Sequence, residues 1–127
     1  MGKVTIGVDI GSTTAKAAVL NENGQIWTAI IPSGYNPPQA GKQVCDMALE
    51  KSQHTKDDVV FIVATGYGRV SADFANKTVT EIACHGLGAH YLNPATLTII
   101  DIGGQDSKAI SLDATGKVID FMINDKC

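Results

Sequence analysis

The sequence contains an internal repeat that sharply limits the folds open to it. The octet DIGSTTAK at residues 9–16 returns as DIGGQDSK at residues 101–108, and the match continues at the same offset of 92 residues. Other coinciding positions are Ala17 with Ala109, Leu20 with Leu112, Gly24 with Gly116 and Ile31 with Ile123. The pattern of each copy predicts a strand, a tight loop, a second strand, a hairpin turn and a third strand. Glycine favours the hairpin turn because it supplies the positive φ that such a turn needs. The period is too long for a solenoid, whose units span about 20 to 50 residues, and we therefore predict two related lobes.

Hydrophobic periodicity places the secondary structure along the chain. Residues 3–10 alternate apolar and polar side chains, which predicts a strand, and the continuous apolar run at residues 59–64 is typical of a central strand buried on both faces. The other expected elements are strands at residues 15–20, 25–31, 97–102, 109–112 and 117–123 and helices at residues 39–53, 69–75 and 80–92. We expect an α/β fold whose first lobe spans residues 1–94, followed by the three opening strands of a second, truncated lobe at residues 95–127.

Charge and cysteine content exclude several classes of protein. A net charge of −3 without any Lys/Arg run gives no general attraction to nucleic acid or to an anionic membrane surface. No segment approaches the roughly 20 apolar residues of a membrane span, and no signal peptide is recognisable, so we expect cytoplasmic residence. Cys45, Cys84 and Cys127 are widely spaced and form no CxxC motif, which argues against a disulfide framework or a self-contained zinc site. Cys45 and Cys84 lie on apolar helical faces, where a small buried side chain is the usual role.

The two loops of the repeat have the properties of phosphate-binding turns. Phosphates need backbone N–H donors in a concave turn, small side chains, and a carboxylate that holds Mg²⁺. Asp9 and Asp101 supply the carboxylates, and the other candidates are Gly11, Ser12, Thr13, Thr14 and Lys16 in the first copy and Gly103, Gly104, Gln105, Asp106 and Lys108 in the second. Neither loop matches GxxxxGK(S/T) or GxGxxG. A single copy is equally compatible with an ordinary hairpin turn, but two copies in register favour phosphate binding, with each lysine either contacting phosphate or pointing into solvent.

The motifs together resemble those of the acetate and sugar kinase, Hsp70 and actin ATPases, in which paired phosphate hairpins from two duplicated RNase H-like lobes close on ATP. More narrowly, DIGSTTAK, ATGYGR at residues 64–69, TEIACHGLGAHYL at residues 80–92, DIGGQDSK and NDKC at residues 124–127 resemble the ATPase activators of 2-hydroxyacyl-CoA dehydratases. The ATPase subunits of benzoyl-CoA reductases belong to the same family. The resemblance covers all 127 residues and implies an RNase H-like βββαβα lobe of the actin-like ATPase fold.

The resemblance also implies an activity, cofactors and partners. Members of the family are homodimers with one 4Fe-4S cluster at the subunit interface, and they couple ATP hydrolysis to transfer of a low-potential electron to the dehydratase. Cys127 matches the first of two cluster cysteines in each chain, and the second is expected beyond residue 127. Asp9 and Asp101 would organise Mg²⁺ and its waters, and Gln105 would either orient the attacking water or cap its turn. The chain alone is expected to be a weak or inactive ATPase that retains no stable cluster.

Several interpretations stay open at the level of sequence. Alternatives to the activator are a nucleotide-binding or structural remnant without ATPase activity and a small-molecule kinase of the same superfamily. Tyr67 or Arg69 could reach a nucleotide or partner, or their segment could form only a turn and a helix start. Glu81, His85 and His90 could bind a metal, although a solvated or capping arrangement is more usual for such helical residues. The three strands of the second copy would expose an apolar face if no helix covered it, which predicts self-association or pairing with another chain.

Overall fold

The computed structural model describes residues 2–103 and 106–124 of the chain. In chain order the elements are β1 (Val4–Ile10), β2 (Thr14–Asn21), β3 (Ile26–Pro32), α1 (Pro37–Lys51), β4 (Val59–Thr65), β5 (Lys77–Thr78), α2 (Glu81–Leu92), β6 (Thr98–Ile102), β7 (Ser107–Leu112) and β8 (Val118–Asn124). The chain divides into two compact units, Met1–Val79 and Thr80–Cys127. No helix within the described ranges is long and apolar enough to cross a membrane.

The first unit is a five-stranded sheet in the order β3-β2-β1-β4-β5. β1, β2 and β3 form antiparallel pairs, whereas β4 is parallel to β1 and β5 is parallel to β4. The predicted alternation of β1 is confirmed, because its apolar residues are buried and its polar or small residues face outward. Asn36 caps the N-terminus of helix α1, since its side chain accepts a hydrogen bond from the Gln39 amide. The helix packs on the apolar side of β1, β2 and β3. This packing places the end of β1 against α1, where Gly41 allows close contact with Ile10.

The prediction that the apolar run of β4 is buried on both faces is wrong. Only Ala64 of this strand is fully buried, and Val60 and Phe61 are 53% and 42% exposed. The physical reason is that α1 covers β1, β2 and β3, so much of the apolar surface of β4 is left without a packing partner among the described residues. A run of apolar residues indicates a preference for burial, but it does not show whether another helix or strand packs on that segment.

The helix expected at residues 69–75 is also wrong, since this segment contains only one 3-10 turn at Arg69–Ser71. The helix stops because the following backbone bonds to the sheet. Asn76 donates its amide to the Ile62 carbonyl at 2.8 Å and accepts from the Ile62 amide through its side chain at 2.7 Å. These two bonds lead the chain into β5, a strand that the hydrophobic pattern does not predict.

The second unit is a three-stranded antiparallel meander, β6-β7-β8, with α2 packed against β7 and β8. Its buried side chains include Ile110 and Leu112. Gly86 makes the contact of α2 possible, because a Cβ at this position would lie 2.8 Å from Leu112 and 2.9 Å from Val118. The expected lobe boundary after residue 94 places α2 with the first lobe, whereas its contacts group it with the strands of the second unit.

The two units repeat the same hairpin in the same register. Asp9 pairs with Lys16 across β1 and β2, and Asp101 pairs with Lys108 across β6 and β7. The next turn is repeated as well, because Gly24 and Gly116 both have positive φ, of 83° and 87°. In each copy the glycine amide donates to the carbonyl of the residue three positions earlier. The internal repeat of the sequence is therefore a repeat of backbone structure, as predicted.

The apolar outer face of the second unit supports the expectation of self-association. Ile100 and Met122 lie on the same side of the sheet, through their shared neighbour Ala109, and are 66% and 73% exposed. We expect sedimentation velocity to show concentration-dependent association that the Ile100→Thr/Met122→Thr variant reduces, because threonine retains strand propensity with less apolar surface. The matched control is Ile26→Thr/Ile30→Thr on β3 of the first unit, which removes exposed isoleucines elsewhere. A monomer at all concentrations of the unmodified chain would contradict the expectation.

Candidate phosphate-binding hairpins

The first hairpin forms a tight loop between β1 and β2. The Gly11 amide donates to the Thr14 carbonyl at 3.0 Å and closes the loop. Glycine is required at this position, since a Cβ there would lie 2.8 Å from the same carbonyl oxygen. Ser12 and Thr13 form the exposed tip, and within the described part of the chain their amide N–H groups donate to no protein acceptor. Adjacent free amides in a tight turn are the arrangement that binds an anion.

Asp9 lies on the sheet face opposite α1, between two polar neighbours. Lys16 on β2 and Thr65 on β4 are its partners in register, so their side chains share its side of the sheet. Lys16 Nζ lies 3.4 Å from Asp9 Oδ2, with both side chains about two-fifths exposed at 43% and 39%, and a half-exposed ion pair of this kind is weak enough to open. The Thr65 hydroxyl is buried and has no hydrogen-bond partner among the described residues. A carboxylate beside an unsatisfied hydroxyl fits a site that holds hydrated Mg²⁺.

The segment Thr65-Gly66-Tyr67-Gly68 braces the end of β1. The Gly68 amide donates to the Ile10 carbonyl at 2.8 Å. Gly66 has a φ of +91°, and a Cβ at this position would overlap the Asp9 carboxylate and lie 2.5 Å from the Ile10 carbonyl oxygen. Arg69 donates from Nη1 to the Gly66 carbonyl at 3.0 Å. The segment forms a turn directly beside Asp9, and contact of Tyr67 or Arg69 with a nucleotide or partner stays a prediction.

The second hairpin repeats the loop with a different set of charges. The Gly103 amide donates to the Asp106 carbonyl at 2.8 Å, as Gly11 does to Thr14. Lys108 Nζ lies 2.7 Å from Asp106 Oδ1 and 3.8 Å from Asp101 Oδ2. The hydrogen bond that Lys108 donates to the Asp106 carboxylate, together with the negative charges of Asp106 and Asp101, raises the pKa of Lys108 above its ordinary value. Gly104 and Gln105 lie outside the described residues.

One residue difference between the two copies explains why Lys16 pairs with Asp9 whereas Lys108 pairs most closely with Asp106. Thr14 in the first loop corresponds to Asp106 in the second, and Asp106 draws Lys108 closer than Asp101 does. His85 of α2 also approaches Asp101, with Nδ1 3.4 Å from Oδ2. Sequence reasoning missed His85 as a neighbour of Asp101, because no local pattern links a helical histidine to a strand end 16 residues later. Neither lysine is simply solvated, since each pairs with a carboxylate in its own hairpin.

The described cysteines and histidines do not form a metal centre. Cys45 is buried in the first unit, and burial, with a smaller contribution from Asp46, raises the pKa of its thiol to about 12. This thiol stays protonated at neutral pH and serves as a small apolar side chain. In the second unit, His90 packs against Gly116 while His85 faces Asp101. Within residues 2–103 and 106–124, no three His, Cys, Asp or Glu side chains converge closely enough to hold a metal ion.

This result limits the ways in which cofactors could bind. Mg²⁺ accepts one or two carboxylates if phosphate oxygens and water complete its shell, so Asp9 in the first hairpin and Asp101 in the second suit a metal that arrives with a nucleotide. The predicted iron–sulfur ligand Cys127 lies outside the described residues.

Comparison with known proteins places these hairpins in a family. The activator of lactoyl-CoA dehydratase from Anaerotignum propionicum is 42% identical over 97% of this chain and 48% of its own length. The crystal structure of the (R)-2-hydroxyglutaryl-CoA dehydratase component A from Acidaminococcus fermentans superimposes with a TM-score of 0.88 at 36% identity, covering 99% of this chain and 49% of that one. The activator of 2-hydroxyisocaproyl-CoA dehydratase from Clostridium difficile, solved with bound ADPNP, gives a TM-score of 0.84 at 38% identity over 98% of this chain and 46% of that one.

These similarities confirm the predicted fold class, an α/β lobe of the actin-like ATPase fold. The chain spans about half the length of the curated relatives that it matches. The model of the BadF/BadG/BcrA/BcrD ATPase family matches residues 6–127, which include both hairpins. The chain therefore belongs to the BadF/BadG/BcrA/BcrD ATPase family.

Proposed function

We propose that this chain is the ATP-binding part of an activator that couples ATP hydrolysis to activation of a 2-hydroxyacyl-CoA dehydratase. The observation that carries the proposal is the repeated hairpin, in which Asp9 and Asp101 occupy the same register position beside loops closed in the same way. Membership of the ATPase family and the ADPNP bound to a similar activator support ATP as the ligand. The names of the relatives support a dehydratase as the partner.

Each hairpin has a distinct task in this proposal. The amides at the tip of the first loop bind phosphate oxygens, and Asp9 holds the hydrated Mg²⁺ that neutralises their charge. Lys16 pairs with Asp9 in the absence of ligand and turns toward phosphate when nucleotide binds. In the second hairpin, Asp101 orients metal-bound water, while Lys108 is held by Asp106 and balances the added negative charge. Gln105 is proposed to orient the attacking water, as glutamine does in other nucleotide hydrolases.

The proposal extends to electron transfer through Cys127. A thiolate is a suitable ligand for an iron–sulfur cluster, and we propose that Cys127 is one ligand of a 4Fe-4S cluster shared across a homodimer. The cluster would supply the low-potential electron that the dehydratase needs. Residence in the cytoplasm is part of the same proposal.

A chimeric activator tests the proposal directly. Residues 1–127 would replace the matching segment of the Acidaminococcus fermentans dehydratase activator, which this chain covers to 49% of its length. We expect the chimera to activate the cognate dehydratase in an ATP-dependent manner under anaerobic conditions, because the hairpins of the two proteins adopt the same fold. The Cys127→Ser chimera is expected to bind nucleotide but to lose cluster absorbance and activation. A folded chimera that binds nucleotide and retains its cluster without activating the dehydratase would refute the activator function.

A further inference from the structure

Ser33 contacts the first phosphate loop at two points. It follows β3 directly and is only 2% exposed. Its hydroxyl donates to the Gly11 carbonyl at 2.6 Å, and its amide donates to the Thr13 carbonyl at 2.9 Å. One buried residue thus holds the carbonyl groups on both sides of the Ser12–Thr13 tip.

These contacts determine where the loop amides point. A peptide unit is planar and trans, so its carbonyl and the N–H of the following residue point in opposite directions. The Gly11 carbonyl is directed toward Ser33, and the Ser12 N–H in the same peptide unit must therefore point away from Ser33. Without the hydroxyl, this peptide unit could rotate and present its carbonyl oxygen to an incoming anion, which would repel it.

We propose that Ser33 is a positioning residue that keeps the Ser12 amide available for phosphate, an inference that rests on the proposed nucleotide-binding function. Ser33 does not touch the ligand in this arrangement. It acts through the backbone of the loop, and its contribution is to preorganise a donor that would otherwise be mobile. The bond that closes the loop uses the Gly11 amide and the Thr14 carbonyl, so it does not hold the Gly11 carbonyl, which accepts from the Ser33 hydroxyl.

The chain contains a matched control for this role. Ser52, at the end of α1, is 5% exposed, and its hydroxyl donates to the Leu49 carbonyl at 2.6 Å. Ser33→Ala and Ser52→Ala each remove a buried hydroxyl-to-carbonyl hydrogen bond of the same length within the same unit. Ser52→Ala also removes the 3.3 Å contacts of its hydroxyl with the amide and ring of His54, so its cost to stability is at least as large. Only the first bond touches the phosphate loop, so the comparison separates positioning from general stability. Ser33→Thr keeps the hydroxyl and serves as the conservative variant.

The experiment has one measurement with ligand and one without. Calorimetric titration with Mg-ADPNP is expected to show about fivefold weaker binding by Ser33→Ala, the loss of about one net hydrogen bond, and unchanged binding by Ser52→Ala. Without ligand, ¹⁵N relaxation is expected to show that the order parameters of residues 11–14 fall below the rigid value of about 0.85 only in Ser33→Ala. Ser33→Thr is expected to restore both values.

The outcomes distinguish the two proposals. If Ser33→Ala and Ser52→Ala change binding equally, or if the loop of Ser33→Ala stays rigid, Ser33 has no positioning role. The unmodified chain could fail to bind Mg-ADPNP while the relaxation data still show a loop loosened only in Ser33→Ala. In that case Ser33 positions the loop as proposed, but nucleotide binding by this chain is refuted.

Discussion

Calorimetric titration of Mg-ATP is expected to give a saturable heat with the unmodified chain and none with the Asp9→Ala/Asp101→Ala variant. Each carboxylate holds a charged ligand in the proposed site, and a hydrogen bond to a charged group is worth about 1.5–3 kcal/mol. Removal of both should therefore weaken binding by more than about 100-fold. This is the largest expected effect on ligand binding, because in the proposed function both aspartates hold the Mg²⁺ that neutralises the charge of the phosphates.

We expect the fold to tolerate the removal of both aspartates, because their ion pairs are partly exposed. Asp9 pairs only with the half-exposed Lys16 among the described ion pairs, and Lys108 keeps its shorter contact with Asp106 when Asp101 is absent. The matched control is Asp57→Ala/Asp120→Ala, which removes one exposed carboxylate from each unit and changes the net charge equally. The control is expected to bind Mg-ATP as the unmodified chain does. Equal weak heats from all three proteins would remove the phosphate-binding assignment of the hairpins.

Replacement of Gly66 is expected to have the largest effect on stability. An L-residue in a left-handed conformation costs about 1–2 kcal/mol, and Gly66 has a φ of +91°. A methyl group here would also collide with the Asp9 carboxylate and the Ile10 carbonyl, and such overpacking costs about 1–3 kcal/mol more. The Gly66→Ala variant should therefore lose about 2–5 kcal/mol of unfolding free energy, a large share of the stability of a small domain.

Gly34 provides the control for this measurement. Its φ is +63°, but a Cβ at this position would meet no atom within 4 Å, so Gly34→Ala should lose only the conformational part, about 1–2 kcal/mol. Urea denaturation followed by the fluorescence of Trp27, the single tryptophan of the chain, reports on the first unit. Equal destabilisation by the two variants would show that the contact between Gly66 and β1 contributes nothing.

Local features were predictable from the sequence because they depend on neighbouring residues. The strand alternation of β1 and the turn glycines Gly24 and Gly116 are properties of a few consecutive positions. The repeat then added information that no single copy carries, since the constant offset alone assigns Asp9 and Asp101 to equivalent positions of two hairpins. The errors at β4 and at residues 69–75 arose where distant elements decide the outcome, namely the position of α1 and the pairing of Asn76 with Ile62.

Residue order alone was enough to predict both hairpins of the repeat, since a hairpin closes between residues only a few positions apart. It could not identify what holds or surrounds them. Ser33 reaches Gly11 from the end of β3, Gly68 reaches Ile10 from the end of β4, and His85 approaches Asp101 from α2. These contacts join segments separated by 16 to 58 positions in the numbering. They exist only once strand order and helix packing bring the segments together, so it is the tertiary structure that turns two glycine-containing loops into braced candidate sites.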